Sequence, residues 1–515
     1  MTISAPTRRG FLAGAASAGL AVAVGGPARA ADTPQRGGHF RLGANGAGIG
    51  DSLDPATYTG GTVALAMLAV CNNLTEIDAA GKLQPELAES WEATPDAKVW
   101  TFRLRKGVKF HDGRDLTARD VVASFNHHRG ETKSAARAVL APVSDVKAGD
   151  DHTVIFTLAS GNADLPYLMT DYHFVVMPAK TDGTLDWEKA IGTGGYKLDR
   201  FEPGVRIAMT RFDGYFKTDR AWFESAEILA IADATARQNA LIGGQIDAMN
   251  GVDPRTANLL KRVSTLRLEN VVGTSHYTLP MFCDADPYRN LDVRLALKYA
   301  IDREALVAKV LGGFGQVGND HPIAPANRYY AADLEQRAYD PEKARFHLRK
   351  AGLDGLKVQL SASNAAFSGG LDTAVLYQEA AARAGIEITV KQEADDGYWS
   401  DVWLKKPFVE SYWNGRPTED DMFSLVYAKG GPWNDAHWDN ERFNALLLEA
   451  RPLLDEARRR EIYREMQQLV RDDGGTIIPM FANYVDATST RIAHGPLSNH
   501  RYLDGWKCIE RWWTA

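Results

Sequence analysis

Cysteine is scarce: Cys71, Cys283 and Cys508 are the only three in 515 residues. An odd number at such wide spacing excludes a disulfide framework and offers no paired thiols for zinc. A single bridge or three buried free thiols are the readings left open. Surplus positive charge is missing too. The formal net charge of −7 argues against nucleic-acid binding, which needs basic patches. Apolar runs stay short of the ~20 residues that span a bilayer.

Catalytic signatures are also lacking. The chain has no G-x-S-x-G and no H-E-x-x-H. Ser144-Asp-Val-Lys147 fits an S-x-x-K pattern, but its S-D-N and K-T-G partners are absent, so it reads as strand edge. His127 and His128 are adjacent. On a helix neighbours diverge by about 100° and make a poor chelating pair. An enzyme is therefore not expected, and neither a cofactor nor a metal site is implied.

Among what is present, the N-terminus stands apart. Thr7-Arg8-Arg9-Gly10-Phe11-Leu12 carries twin arginines placed as in a Tat export signal. An Ala- and Gly-rich apolar run extends from Phe11 to Gly26, and Ala28-Arg29-Ala30 has the small-x-small form of a cleavage site. Cleavage after Ala30 is expected. No Cys lies nearby to accept a lipid, which predicts a soluble periplasmic product. The removed segment holds Arg8, Arg9 and Arg29 and no acid, so the mature charge becomes −7 − 3 = −10.

The length calls for two or three domains. Residues 99 to 104 alternate, with Trp100, Phe102 and Leu104 on one face, which predicts a half-buried strand. Val108-Lys-Phe110 reads as a second short strand before an Asp112-Gly113 turn. Thr117-Ala-Arg-Asp120 reads as a capping box opening a helix with Val121, Val122 and Phe125 on its apolar face. Gly192-Thr-Gly-Gly-Tyr196 lacks the Lys-Ser/Thr ending of a phosphate loop and reads as a turn where chain segments cross closely. Asp292 to Leu311 predicts one long helix. Phe443 to Val470 predicts a helical stretch broken around Pro452. Alternating helices and strands between 341 and 390 imply a β/α arrangement, and no linker separates the parts, as interleaved lobes would explain.

Several of these stretches stand in the order of one family. "TFRLRKGVKFHDG…LTARDVVASF" (101–125) resembles the family 5 solute-binding proteins of bacterial ABC importers, the dipeptide-, oligopeptide- and nickel-binding group. Leu83-Gln-Pro-Glu-Leu-Ala-Glu-Ser-Trp91, Gly192 to Tyr196, Arg211 to Tyr215, Ala240 to Asp247 and Asp292 to Arg303 are similar to further landmarks of that family. The resemblance covers roughly 450 residues. It implies a mixed α/β, two-lobe periplasmic-binding-protein fold of the large three-segment type (class II, cluster C-like), closing on a hinge. Lobe 1 is expected from 31–75, 191–272 and 481–515, an added α+β subdomain from 76–190, and lobe 2 from 273–480. The crossing strands are expected near Val272 to Tyr277 and Pro479 to Asn483. The partners implied are a small-molecule or peptide ligand and a membrane ABC permease with cytoplasmic ATPases, served by a monomer.

Peptide-binding members of the family hold the peptide backbone along a segment around a Trp, and an Asp three residues later grips the amino terminus. The matching stretch here is Glu410-Ser-Tyr-Trp-Asn-Gly-Arg-Pro-Thr-Glu-Asp-Asp421. Trp413 fits, but Arg416 stands where the Asp would be. A guanidinium favours a carboxylate, phosphonate or sulfonate, while Glu419, Asp420 or Asp421 is left to take an amine. A pairing of Arg416 with Glu419 inside the loop is the competing expectation. Tyr412, Trp413, Asn414, Gly415, Arg416, Glu419 and Asp420 are thus site candidates, with Tyr277 and Trp399 as aromatic walls, alongside Tyr398 and Trp433. Asn45 and His173 are expected contacts from the larger lobe. Metal-chelate, haem, opine and amino-acid-conjugate binders of the same family are the alternative readings of the ligand.

Overall fold

The computed structural model describes residues 33–58 and 61–515, so the export signal expected at 1–30 lies outside the described residues. No helix among them is long and apolar enough to cross a membrane.

A nine-stranded mixed sheet organises the chain. Its path runs Ser411–Trp413, Leu266–Pro280, Thr476–Ser489, Ala248–Met249, His39–Ala44, Ser225–Ala230, Arg206–Arg211, Tyr196–Glu202, with Gly315–Val317 added alongside Thr476–Ser489. His39–Ala44 is parallel to both neighbours, and the other pairs are antiparallel. The 15-residue strand Leu266–Pro280 and the 14-residue strand Thr476–Ser489 are far longer than the rest. Each connects two cores: Leu266, Val485 and Ala487 pack at one end, Leu279, Met281, Ile477 and Met480 at the other. Their ladder is interrupted between Val271 and Ser275. There Gly273 presses so closely on the Ala482 carbonyl that no Cβ fits.

A separate four-stranded antiparallel sheet holds Ala88–Ala93, Val99–Leu104, Thr153–Leu158 and Val143–Asp150 in that order. Trp100, Phe102 and Leu104 face inward as their alternation requires, against the helix Ala118–Asn126. That helix is capped by Asp120, which accepts from the Thr117 amide and hydroxyl at 2.8 Å each. Val108–Phe110 is not a strand. Lys109 makes one isolated bridge to Asp115 because the chain turns back at once, Phe110 N–H to Arg114 O. Ser144 lies on the edge strand, its hydroxyl donating to Thr157 O.

The helix expected from Asp292 to Leu311 is two, Leu291–Tyr299 and Arg303–Lys309, because Asp302 caps the second through the Ala305 amide. The break near Pro452 separates Glu441–Ala450 from Glu456–Asp473. Gly192 and Gly194 abut the Val70 and Ala69 carbonyls where a Cβ would overlap them, so this glycine loop serves close packing. All three thiols are free; Cys71 and Cys508 are buried, whereas Cys283 is partly exposed.

Candidate functional site

Ser411–Trp413 is the outermost strand of the large sheet, paired on one side only, with Trp413 opposite His276 and Tyr412 opposite Tyr277. An unpaired strand edge is a template for an extended peptide backbone. Period-2 alternation sends Trp413 inward, into contact with Trp403 (6.0 Å) and Trp433 (5.7 Å), and leaves Tyr412 half exposed beside Trp399 at 5.6 Å. Tyr277 stacks on Phe367 at 4.0 Å. Tyr398 is fully buried, its hydroxyl donating to Glu410 O. Behind Trp413, the Asp435 carboxyl takes the Trp403 indole N–H at 3.3 Å, and burial pushes it up to about 7.

After Trp413 the chain passes the exposed Asn414, then Gly415, whose missing side chain lets it lie against the Thr274 hydroxyl. A Cβ there would overlap Thr274. Gly415→Ala is expected to push this loop off the crossing strand, weakening ligand binding at least tenfold; titration calorimetry against the parent protein checks it.

Thr418 then caps the helix Glu419–Val426. The three acids of its first turn have different fates. Glu419 is buried and accepts the Tyr329 amide at 2.9 Å. Asp420 is buried against Arg451 at 3.1 Å. Both are committed to the fold, so neither is left to grip an amine as the sequence reading allowed. Asp421 makes no side-chain ion pair among the described residues. Burial pushes its carboxyl up to about 6, against the pull of Arg416, and Asp420 and Asp171 push the same way as burial.

Arg416 does not pair with Glu419. Its guanidinium lies over the Trp433 ring at 5.4 Å, its Nε is buried without a partner, and no carboxylate comes within 4 Å among the described residues. A half-buried cation without a counter-charge is costly unless a ligand supplies one.

The second wall joins Tyr172 and His173 to the C-terminal residues Arg501 and Trp506. Tyr172 stacks on His173 at 4.2 Å and meets Trp506 edge-on at 5.3 Å, while Arg501 lies over both rings, 4.8 Å from Tyr172 and 4.5 Å from Trp506. Burial and then Asp171 raise the Tyr172 hydroxyl, and the positive charges of Arg501 and Arg416 both draw it back. Tyr172 is thus where the two walls approach. His173 itself is not available to a ligand: Asp171 holds Nδ1 at 2.6 Å and Tyr58 O holds Nε2 at 2.9 Å. Asn45 is exposed, exchanges amide hydrogen bonds with Asn250 at 2.7 and 3.2 Å, and lines a cavity of about 180 Å³ with Gly46, Thr62, Tyr502 and Trp506. Arg501, Tyr172, Tyr502 and Trp506 were not singled out from the sequence. For the C-terminal three, the density of aromatic and basic residues in His500-Arg-Tyr-Leu-Asp-Gly-Trp506 is the signal that could have found them.

Elsewhere, Glu76, Glu86 and Glu510 converge closely enough to hold a metal ion, but Lys217, Lys507 and Arg511 already neutralise them at 2.7–3.2 Å. This is a structural ion cluster. His127 Nε2 lies 2.6 Å from the Asp54 carboxylate and His128 Nδ1 2.7 Å from the Ser134 hydroxyl, so the two rings do not share a ligand site.

Residues 82–435 match the family model described as bacterial extracellular solute-binding proteins, family 5 Middle. The chain is 28% identical over 477 residues to a dipeptide-binding protein of Escherichia coli K12, covering 84% of this chain and 87% of that one. Among solved structures, a Helicobacter pylori periplasmic binding protein in complex with the peptide STSA superposes with a TM-score of 0.74 at 20% identity, covering 93% and 98% of the two chains. A protein from Agrobacterium tumefaciens in complex with agropinic acid does so with 0.73 at 25% identity, covering 93% and 99%.

Proposed function

The chain belongs to the bacterial extracellular solute-binding proteins of family 5, substrate-binding proteins of ABC importers rather than enzymes, and we propose that its solute is a small peptide or peptide-like amino-acid conjugate bearing a carboxylate. The observation that carries this is Arg416, a half-buried guanidinium that makes no ion pair among the described residues, beside the unpaired edge of Ser411–Trp413.

Asp421, the one first-turn acid without a cation of its own, takes the ammonium of a zwitterion. Arg416 takes the carboxylate in two parallel hydrogen bonds. Aromatic rings on both walls bury the rest. Closure about the interruption near Val272 to Thr274 encloses the solute, the lobes being those expected from the sequence. Delivery to a membrane permease follows, and no bond is made or broken. A soluble monomer exported through Tat and cleaved after Ala30 completes the reading. A related protein that holds agropinic acid favours amino-acid conjugates as the second class within the same chemistry.

The test is native mass spectrometry of gently purified protein, followed by thermal melting with a panel of dipeptides. A ligand that binds only the folded state raises the melting temperature. Zwitterionic and anionic members should stabilise, and the C-terminal amides should not. Binding of zwitterions should strengthen between pH 5 and 7: the Asp421 carboxyl, held near 6, is neutral below that range and charged above it. No co-purified solute together with no stabilising peptide or conjugate would reject the reading.

A further inference from the structure

Arg501 is a second cation whose charge, like that of Arg416, acts on Tyr172. No carboxylate lies within 4 Å of it among the described residues. Asp171, whose carboxyl the Arg501 charge helps to lower, is bound to the His173 ring at 2.6 Å and to the His173 amide at 2.9 Å. The other basic neighbours do not compete for an anion: burial lowers His500 to about 3, leaving it neutral, and Arg511 is engaged by Glu76 and Asp504.

The guanidinium lies over the faces of Tyr172 and Trp506, rings set at 65° to each other. Stacking uses the flat faces of a guanidinium and leaves its N–H edge for bidentate contact with an oxyanion. The position is rigidly built. Leu503, Asp504 and Trp506 all have positive φ (52°, 58° and 65°), as does Gly505 at 68°. Non-glycine residues in this region cost of order 1–3 kcal/mol each and persist where the surroundings hold them. Here the Leu503 amide donates to Asp486, and the Ser498 amide and Arg511 hold Asp504. This left-handed turn presents Trp506 to the cleft and sets Arg501 at its mouth.

Among the described residues Arg416 and Arg501 have no carboxylate within 4 Å and Asp421 makes no ion pair, so these three groups are short of one negative charge. Resting on the peptide-like reading above, we propose that Arg501 binds a second carboxylate, so that the preferred solute carries one amine and two carboxylates, as an acidic dipeptide or an amino-acid conjugate of that charge pattern does. Arg416 and Asp421 hold the zwitterionic end. Arg501 and the Tyr172 hydroxyl, across the cleft, select the acidic side chain.

Matched probes separate this from the reading it rests on. Protein stripped of solute by unfolding and refolding is titrated calorimetrically with Ala-Glu and with Ala-Gln, which differ by one charge. The parent protein should prefer Ala-Glu at least tenfold. Arg501→Gln should erase that preference while keeping Ala-Gln binding, Arg501→Lys should restore part of it, and Arg416→Gln should weaken both peptides. Equal affinity of the parent for both peptides, or a parallel loss of both in Arg501→Gln with an unchanged melting temperature, overturns the role of Arg501 and leaves the peptide-like reading standing. Binding of neither dipeptide by the parent protein overturns the dipeptide form of both. Melting curves of each variant show whether it is folded.

Discussion

Arg416→Ala is expected to weaken binding of a carboxylate-bearing solute by two orders of magnitude or more while leaving the fold as stable as before. Removing one partner of a desolvated, hydrogen-bonded charge pair costs about 2–5 kcal/mol, and each ~1.4 kcal/mol is a factor of ten. Stability should hardly move because Arg416 makes no ion pair among the described residues and its Nε is without a partner. What it loses is a stacking contact over Trp433 at 5.4 Å, worth roughly 0.5–1 kcal/mol at a partly exposed site, offset by no longer holding an uncompensated charge. Calorimetric affinity and a melting curve on the same sample separate the two effects. Retained affinity in the variant would remove Arg416 from the site.

The second large effect is on stability. Asp164 is buried at the seam between the four-stranded unit and the helix Glu456–Asp473. Arg459 grips it with two hydrogen bonds, at 2.9 and 2.5 Å, and Arg328 adds a third at 2.5 Å. Arg328 is itself held between the rings of Tyr167 and Tyr329, at 4.2 and 4.3 Å. Next to this group the Ala163 amide donates to Arg451 O at 2.7 Å, and Arg451 is the partner of Asp420 in the candidate site segment. Asp164→Ala strands buried Arg459 and should cost about 3–5 kcal/mol, read as a lower midpoint in urea. The triple variant Asp164→Leu/Arg328→Met/Arg459→Met should recover most of the loss, since apolar replacement of a whole buried ionic group is often neutral. If the single variant melts like the parent, the seam is not carrying the load assigned to it.

Acid should expose the same group. Burial raises the Asp164 carboxyl, but the charges of Arg459 and Arg328 outweigh it and hold the group below the usual carboxylate range. A depressed folded-state value means its stabilisation is present above the unfolded value near 4 and is lost as pH falls through the folded one.

Local pattern was enough for much of the architecture. Period-2 alternation placed Trp100, Phe102 and Leu104 on the buried face, and the Thr117–Asp120 cap was legible because its two partners are three residues apart. The helix break at Asp302 was missed because apolar spacing continues through it, and only the cap bond to Ala305 shows where one helix stops. Val108–Phe110 alternates like a strand but has no partner strand to lie on.

The candidate site divides the same way. The family resemblance marks Arg416 as standing where an acid is expected, and it is on that resemblance that the Trp413 segment is proposed to carry ligand choice. The chain also contained three adjacent acids, Glu419, Asp420 and Asp421, with nothing to rank them. The tertiary structure ranked them, because Tyr329 and Arg451, 90 and 31 residues away, engage the first two and leave the third. It likewise took His173 out of the cleft through Asp171 and Tyr58, and brought Arg501 in beside Tyr172. Residue type and spacing determine which charges a chain carries and which faces it buries. Whether a given charge is neutralised within the protein or left for a solute depends on partners far apart in sequence, and only the folded chain brings them within hydrogen-bonding distance.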